Sequence, residues 1–342
     1  MNIPRVMSRN VTQPQINSPS SGRKLNPIKL PRQKEKVVVV MGATGTGKSR
    51  LSIDLATVFH AQIINSDKMQ VYEGLDIVTN KITKEDRRGV PHHLLGTESP
   101  YSEFTASHFR DAALLAIESI TSCGQLPIIV GGSNSYIEAL IDDYDYKFRS
   151  RYDFCCLSVD VSMPVLDQYV AKRVDQMLEN GMVDELRPLF NPKGDYSRGI
   201  RKAIGVPEFD QYFRKESFIM DEGIKQRLVE EAVNEMKKNT YKLARKQLGK
   251  IHRLHNVKRW KIQRLNATTV FCKHGEEAEE AWKKKVAEPS ARMVARFLFD
   301  FPSANVGAGL RLCSPSALRS AMATATCDGY VLTAGYPRLS IF

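Results

Sequence analysis

Gly42-Ala43-Thr44-Gly45-Thr46-Gly47-Lys48-Ser49 has the residue types and spacing of G-x-x-x-x-G-K-[ST], a loop that cradles phosphate. Its glycines let backbone N–H groups turn inward around phosphate oxygens, and the helix that follows adds the partial positive charge of its N-terminus. Lys48 would neutralise a terminal phosphate, and the Ser49 hydroxyl would ligate Mg²⁺. A second group follows at Asn65-Ser66-Asp67-Lys68-Met69-Gln70-Val71-Tyr72, directly after an apolar run. A carboxylate at Asp67 has three available roles: Mg²⁺ ligand, general base, or cap of the next turn.

These groups must be held by strands and helices, and the chain supplies them in alternation. Val37 to Met41 is a continuous, mostly β-branched run suited to a buried parallel strand, and Leu51, Leu55 and Val58 lie on one face of the helix expected after the loop. Ala61 to Asn65, Leu126 to Val130 and Phe154 to Val161 read as further strands, and Phe104 to Ile120 as a helix. Alternating strands and helices imply βαβ crossovers, with the ligand at the carboxyl ends of the strands. Asp67 therefore leaves the sheet at the same edge as the phosphate loop. The expected fold class is α/β: a P-loop NTPase-like parallel sheet flanked by helices, with a smaller, mostly helical second domain.

Beyond Pro164 the pattern turns helical, with Val165 to Asn180 closing at Gly181 and a long stretch over roughly Glu222 to Lys261. Thr268 to Phe271 reads as a strand returning to the sheet, and Glu276 to Phe297 as helical apart from Pro289. The organisation expected is thus a segment 1–35 outside the core, a P-loop core at 36–163, a helical acceptor-side region at 164–264, a return strand and helix at 265–299, and an unstructured tail at 300–342.

Charge separates the ends from the middle. The formal net charge is +12, but residues 1–36 hold eight Lys or Arg against the single acid Glu35, which leaves +5 for the other 306 residues. The first 34 residues contain no acid, five prolines, four serines and seven basic residues, the composition of an organelle transit peptide, with plastid import preferred over a cytoplasmic location. No stretch approaches the roughly 20 consecutive apolar residues that cross a bilayer. The six cysteines form no C-x-x-C, which argues against a disulfide framework or zinc site, and Cys272 with His274 lacks further ligands. The sequence specifies no oligomeric state.

A phosphate loop alone fits kinases, ATPases and other transferases. The ordered motifs decide among them. The loop, Asn65 to Tyr72 with Gly74 to Lys81, Gly89-Val90-Pro91-His92-His93-Leu94-Leu95-Gly96 and Gly131-Gly132-Ser133-Asn134-Ser135-Tyr136-Ile137 resemble the successive motifs of plant adenylate isopentenyltransferases. Arg198 to Glu208 and Asn239 to Gln247 are similar to that family as well, so the resemblance runs from about Lys36 to Leu298. It implies an enzyme that joins dimethylallyl diphosphate to N6 of an adenine nucleotide (ATP or ADP, less AMP), the first step of cytokinin synthesis.

The same resemblance implies that Gly42 to Ser49 hold the donor's diphosphate together with Arg173, that Asp67 is the base, and that Ser66 lies on the acceptor side. Lys237 to Arg264 holds eleven Lys or Arg and no acid, and Lys242, Arg245, Lys246 and Lys250 are the candidates for the acceptor's phosphates. His92 and His93 read as packing or acceptor-side residues before metal ligands, and His108 stands where an acid is expected in relatives. A tRNA dimethylallyltransferase shares this chemistry, but the +5 of the core is modest for gripping a polynucleotide and the C-terminal zinc finger of eukaryotic members is missing. A small-molecule kinase would need Asp160 as its metal-binding acid.

Overall fold

Four consecutive valines cannot sit at a water-facing edge, and Val37 to Val40 accordingly form the middle of strand β1 (Glu35–Gly42) at the centre of the sheet, fully buried. The computed structural model describes residues 34–143, 145 and 147–299; the expected leader at 1–35, apart from its last two residues, and the tail at 300–342 lie outside them. After β1 come α1 (Lys48–Phe59), β2 (Ala61–Asn65), the two-residue β3 (His92–His93), α2 (Ala106–Ser122), β4 (Leu126–Val130), α3 (Asn134–Ile141) and α4 (Phe148–Arg151). The chain continues through β5 (Tyr152–Asp160), α5 (Met163–Glu179), α6 (Met182–Leu186), α7 (Asp210–Lys215) and α8 (Glu222–Asn256). It closes with β6 (Ile262–Asn266), α9 (Thr268–Phe271), α10 (Gly275–Trp282), a π-helical turn at Lys283–Ala287 and α11 (Glu288–Phe299).

Among the described residues the sheet has six strands in the order β3-β2-β4-β1-β5-β6, every pairing parallel. Because side chains alternate along a strand, β1 feeds two cores. Val37, Val39 and Met41 pack with Phe109 and Ile117 of α2, Ile137 of α3 and Met236 and Ile251 of α8. Val38 and Val40 pack on the other face with Leu51 and Leu55 of α1, Val170 of α5, Trp282 and Val294. The helical region beyond β5 belongs to the same compact unit as the sheet, α8 crossing from α5 to α3 and β1.

The register fixes the site. Gly42 lies opposite Val159, and Asn65 opposite Val130. The segments that leave β1, β2, β4 and β5 therefore emerge along one edge, the arrangement parallel strands impose.

One element is displaced from its expected place. The return strand is Ile262–Asn266, and Thr268–Phe271 is a short helix. Ala267 N donates to Asp160 O at 2.8 Å, which ends the ladder and starts the turn before the β-branched residues can pair. Pro289 does not interrupt the helical run, because it follows directly on the wider π-helical turn at Lys283–Ala287, the local adjustment that accommodates a proline's missing N–H and its ring.

Candidate active site

The phosphate loop leaves β1 at Gly42, where a side chain would lie 2.6 Å from Val159 O and 2.7 Å from Thr46 Oγ1. Gly47 has φ +87°, a left-handed conformation that favours glycine, and it begins α1 with no side-chain cap. The first N–H groups of α1 thus remain for an anion. Lys48 folds back, its Nζ donating to Ala43 O at 2.6 Å, and Arg173 reaches in from α5 to donate to Thr44 Oγ1 at 2.9 Å. Burial pushes the Lys48 ammonium down to about 8; the Asp67 charge opposes that and Arg173 reinforces it. Burial also lowers Arg173, against the pull of Tyr169 and Asp67, and its Nε is buried with no partner. Two half-buried cations facing one carboxylate leave a positive site suited to an anion.

Asp67 is positioned by the end of β2. Asn65 Oδ1 accepts from Asp67 N at 3.2 Å, while Asn65 Nδ2 donates to Leu94 O at 2.8 Å. Asp67 Oδ1 accepts from Met69 N at 2.9 Å and Gln70 N at 3.4 Å. The two oxygens are therefore distinct: Oδ1 closes the turn, and Oδ2 makes no hydrogen bond among the described residues. Oδ2 lies 3.6 Å from where a side chain on Gly132 would begin.

Gln247, the last residue of the motif Asn239 to Gln247, joins the two sides. From α8 its Oε1 accepts from Thr44 N at 2.7 Å and its Nε2 donates to Gly132 O at 3.1 Å, while Asn134 Nδ2 donates to Gln247 O at 3.0 Å. A Cβ on Gly132 would stand 2.3 Å from Gln247 Nε2, and one on Gly131 2.3 Å from Ser66 Oγ, so both glycines are required by close approach. Ser66 Oγ and Asn134 Oδ1 are buried without partners. Unpaired buried polar atoms beside a cation-lined loop mark where a polar ligand docks. The signal for Gln247 was its place on the buried stripe Met236, Thr240, Ala244, Gln247, Ile251, Leu254 of α8.

The basic candidates part company. Lys68 sits with Nζ 5.0 Å from the Tyr136 ring, and its ammonium is lowered by burial first and then by the charges of Lys250 and Lys202. Lys250 of α8 and Lys202 of the turn at Gly199–Lys202 thus act electrostatically on Lys68, and Lys202 also lies 4.0 Å from Glu103. Of the four residues proposed from α8, Lys250 is the one that acts on Lys68, and the exposed Lys246 precedes it by one turn. Lys242 pairs with Asn239 Oδ1 at 3.1 Å and Glu235 at 3.8 Å, and Arg245 stacks on Tyr241 at 4.7 Å. At 100° per residue both point away from the Gln247 face. Lys68 and Lys202 went unassigned because a lysine's charge in sequence carries no sign of convergence.

The remaining candidates have structural partners. His92 Nδ1 lies 2.8 Å from Val90 O and His93 Nε2 2.6 Å from Gln62 Oε1, and burial lowers both imidazoles. His108 completes the N-cap of α2, its amide donating to Thr105 Oγ1 at 3.2 Å and its Nδ1 3.0 Å from Glu103 O. Asp160 is held by Ser158 Oγ at 2.9 Å and by an ion pair with Arg264. No three His, Cys, Asp or Glu residues cluster as a metal site, and no helix is long and apolar enough to cross a membrane, among the described residues.

Residues 70–151 and 145–254 match the family model described as IPP transferase. The chain is 57% identical over 273 residues to adenylate isopentenyltransferase 3, chloroplastic, of Arabidopsis thaliana, covering 79% of this chain and 81% of that one. It is 51% identical to adenylate isopentenyltransferase 7, mitochondrial, of the same plant (80% and 84% covered) and 48% identical to the Humulus lupulus adenylate isopentenyltransferase (76% and 89%). Among solved structures, a eukaryotic dimethylallyltransferase acting on tRNA shares the fold at TM-score 0.66 and 24% identity, over 82% of this chain and 83% of that one. The tRNA isopentenylpyrophosphate transferase of Bacillus halodurans matches at TM-score 0.61 and 25% identity, over 77% and 98%. With a phosphate loop lined by two half-buried cations, a half-free carboxylate beside it and relatives this similar over most of their length, the chain belongs to the adenylate isopentenyltransferase family.

Proposed function

We propose that this protein transfers the dimethylallyl group of dimethylallyl diphosphate to N6 of an adenine nucleotide. The observation that carries the reading is Asp67, one oxygen fixed by two amides and the other free, acting electrostatically on both Lys48 and Arg173. The N6 lone pair attacks the allylic carbon, the carbon–oxygen bond to diphosphate breaks with its electron pair, and the N6 proton passes to Asp67 Oδ2. Lys48, Arg173 and the loop amides oppose the negative charge that grows on the departing diphosphate. The exposed Ser49 hydroxyl, without a hydrogen-bond partner among the described residues, fits a Mg²⁺ ligand beside these cations. Bound there with the diphosphate, Mg²⁺ would add charge neutralisation to the leaving group.

On the acceptor side, Ser66 and Asn134 offer buried, unpaired polar atoms for the adenine or ribose, and Lys68, Lys202 and Lys250 receive the phosphates. Three lysines favour ATP and ADP over AMP. Lys250 and Lys202 both act electrostatically on Lys68, as groups gathered around one polyphosphate would, and this sets a free nucleotide above tRNA as acceptor. Incubation with Mg²⁺, dimethylallyl diphosphate and each of ATP, ADP, AMP and an anticodon-loop RNA, followed by mass spectrometry, tests the reading; prenylation of the RNA alone would replace it. Two named relatives are chloroplastic and mitochondrial respectively, and the acid-free N-terminal composition supports plastid import here. A fluorescent fusion of the first 40 residues that stays in the cytosol would remove that assignment.

A further inference from the structure

A second polar cluster lies behind the phosphate loop, unused by the chemistry above. Trp282, the last residue of α10, is buried, and its ring covers the loop from outside: a Cβ on Gly47 would meet Trp282 Cζ3 at 2.8 Å and Cη2 at 2.9 Å. Two side chains hold the ring. Its Nε1 donates to Asp54 Oδ2 at 2.8 Å, the Arg50 guanidinium lies 4.5 Å from its centroid, and Arg50 in turn pairs with Glu279 one turn earlier on α10. Arg88 completes the cluster, donating to Asp54 Oδ1 at 3.2 Å.

The helix around Trp282 is adapted to this placement. Trp282, Val286, Ser290 and Val294 are all buried at intervals of four residues, a series that drifts about 40° per step in an α-helix. The π-helical turn at Lys283–Ala287 is wider and cancels part of that drift, so one face of α10 and α11 stays on the sheet while Trp282 stays on the loop.

We propose that Trp282 is a positioning residue for the phosphate loop, its outer ring edge holding Gly47 so that the first turn of α1 presents Lys48 and Ser49 to the diphosphate. The inference rests on the reading of the loop as the donor diphosphate site. Only the six-membered ring of the indole reaches Gly47. Trp282→Phe therefore keeps most of the apolar volume that α10 buries, yet withdraws the atoms that touch the loop and the donor to Asp54.

The test uses the full chain and inorganic diphosphate as probe, with affinity measured by calorimetry beside steady-state kinetics. Trp282→Phe should raise the Kd for diphosphate and the KM for dimethylallyl diphosphate about fivefold, with kcat and the acceptor's KM within twofold. A merely structural role would lower the folded fraction or move both KM values together. Gly47→Ala supplies a second, independent readout: in the wild type its methyl strikes the ring, whereas in Trp282→Phe the space is vacant. The second substitution should then weaken diphosphate binding less in the Trp282→Phe background than in the wild type. Unchanged diphosphate affinity in folded Trp282→Phe, or strictly multiplicative effects in the double variant, overturns the assignment. If the wild type itself fails to bind diphosphate, the donor-site reading falls first and takes this inference with it.

Discussion

Replacing Asp67 by Asn separates the roles its two oxygens play. The amide oxygen of Asn can take over both turn-closing bonds, from Met69 N at 2.9 Å and Gln70 N at 3.4 Å, so local structure should survive. What is lost is the proton acceptor at Oδ2. A positioned general base contributes roughly 10² to 10⁴ in rate, or about 3 to 5 kcal/mol of barrier, whereas a neutral hydrogen bond contributes about 1 kcal/mol. The loss should fall on kcat. Electrostatics adds two opposed effects: without the Asp67 carboxylate Lys48 and Arg173 are less compensated towards an anion, but the Lys48 ammonium also loses the charge that holds it up. The donor KM should therefore stay about level. Steady-state kinetics with donor and acceptor varied in turn, repeated across Mg²⁺ concentrations, decides the matter. Near-normal turnover at ordinary Mg²⁺, or recovery at high Mg²⁺, would refute the base assignment, the second by making Asp67 a metal ligand.

Because Lys48 titrates near 8, donor binding above that pH must take up a proton, so affinity for dimethylallyl diphosphate should fall from pH 8 to 9.5 and calorimetry in buffers of different ionisation enthalpy should show the uptake. Folding has the opposite sensitivity: the unfolded chain keeps this proton up to about 10.5, so the charged lysine opposes folding below about pH 8. Lys48→Met should therefore raise stability at pH 7 by up to about 3 kcal/mol, with the gain vanishing towards pH 10.5, while donor binding is lost; denaturant titrations at the two pH values measure it. Lys250→Ala and Lys68→Ala should each raise the KM for ATP about tenfold and that for AMP less, with Arg245→Ala within twofold; equal effects at all three positions would dissolve the cluster. Gly132→Ala should cut kcat/KM by more than tenfold, since its methyl meets Gln247 Nε2 at 2.3 Å and forces apart the link to Thr44, and normal kinetics would show that the link is dispensable.

The phosphate loop, its flanking strand and helix, and the side of the sheet on which Asp67 emerges were legible because each depends on local pattern. Strand β6 was not. In Ile262-Gln263-Arg264-Leu265-Asn266 only Ile262 and Leu265 are buried, so this edge strand reads as the end of the basic helical stretch before it. Thr268 to Phe271 has the β-branched content of a strand and folds as a helix because the ladder has already closed at Asn266. At the site, Arg173 and the base role of Asp67 came through the family resemblance, whereas Gln247 depends on its contact with Thr44 and Lys202 on its electrostatic action on Lys68, both far away in the chain. No local rule exposes that.

The central position of β1 sets the order of events during synthesis. Val38 pairs with Ile128 and Cys155, which leave the ribosome 90 and 117 residues later. At roughly 5 to 20 residues per second, β1 waits about 5 to 20 seconds for either neighbour. Through that interval Val37 to Met41 is an unpaired, uncharged segment of the kind that nucleates aggregates. Lys34, Glu35 and Lys36 immediately before it and Lys48 soon after act as charged gatekeepers, with Glu35 left exposed and Lys36 half-buried at the start of the strand. A nascent chain of this kind has most need of a holding chaperone between the emergence of β1 and that of β5, and least once Cys155 has paired with Val38.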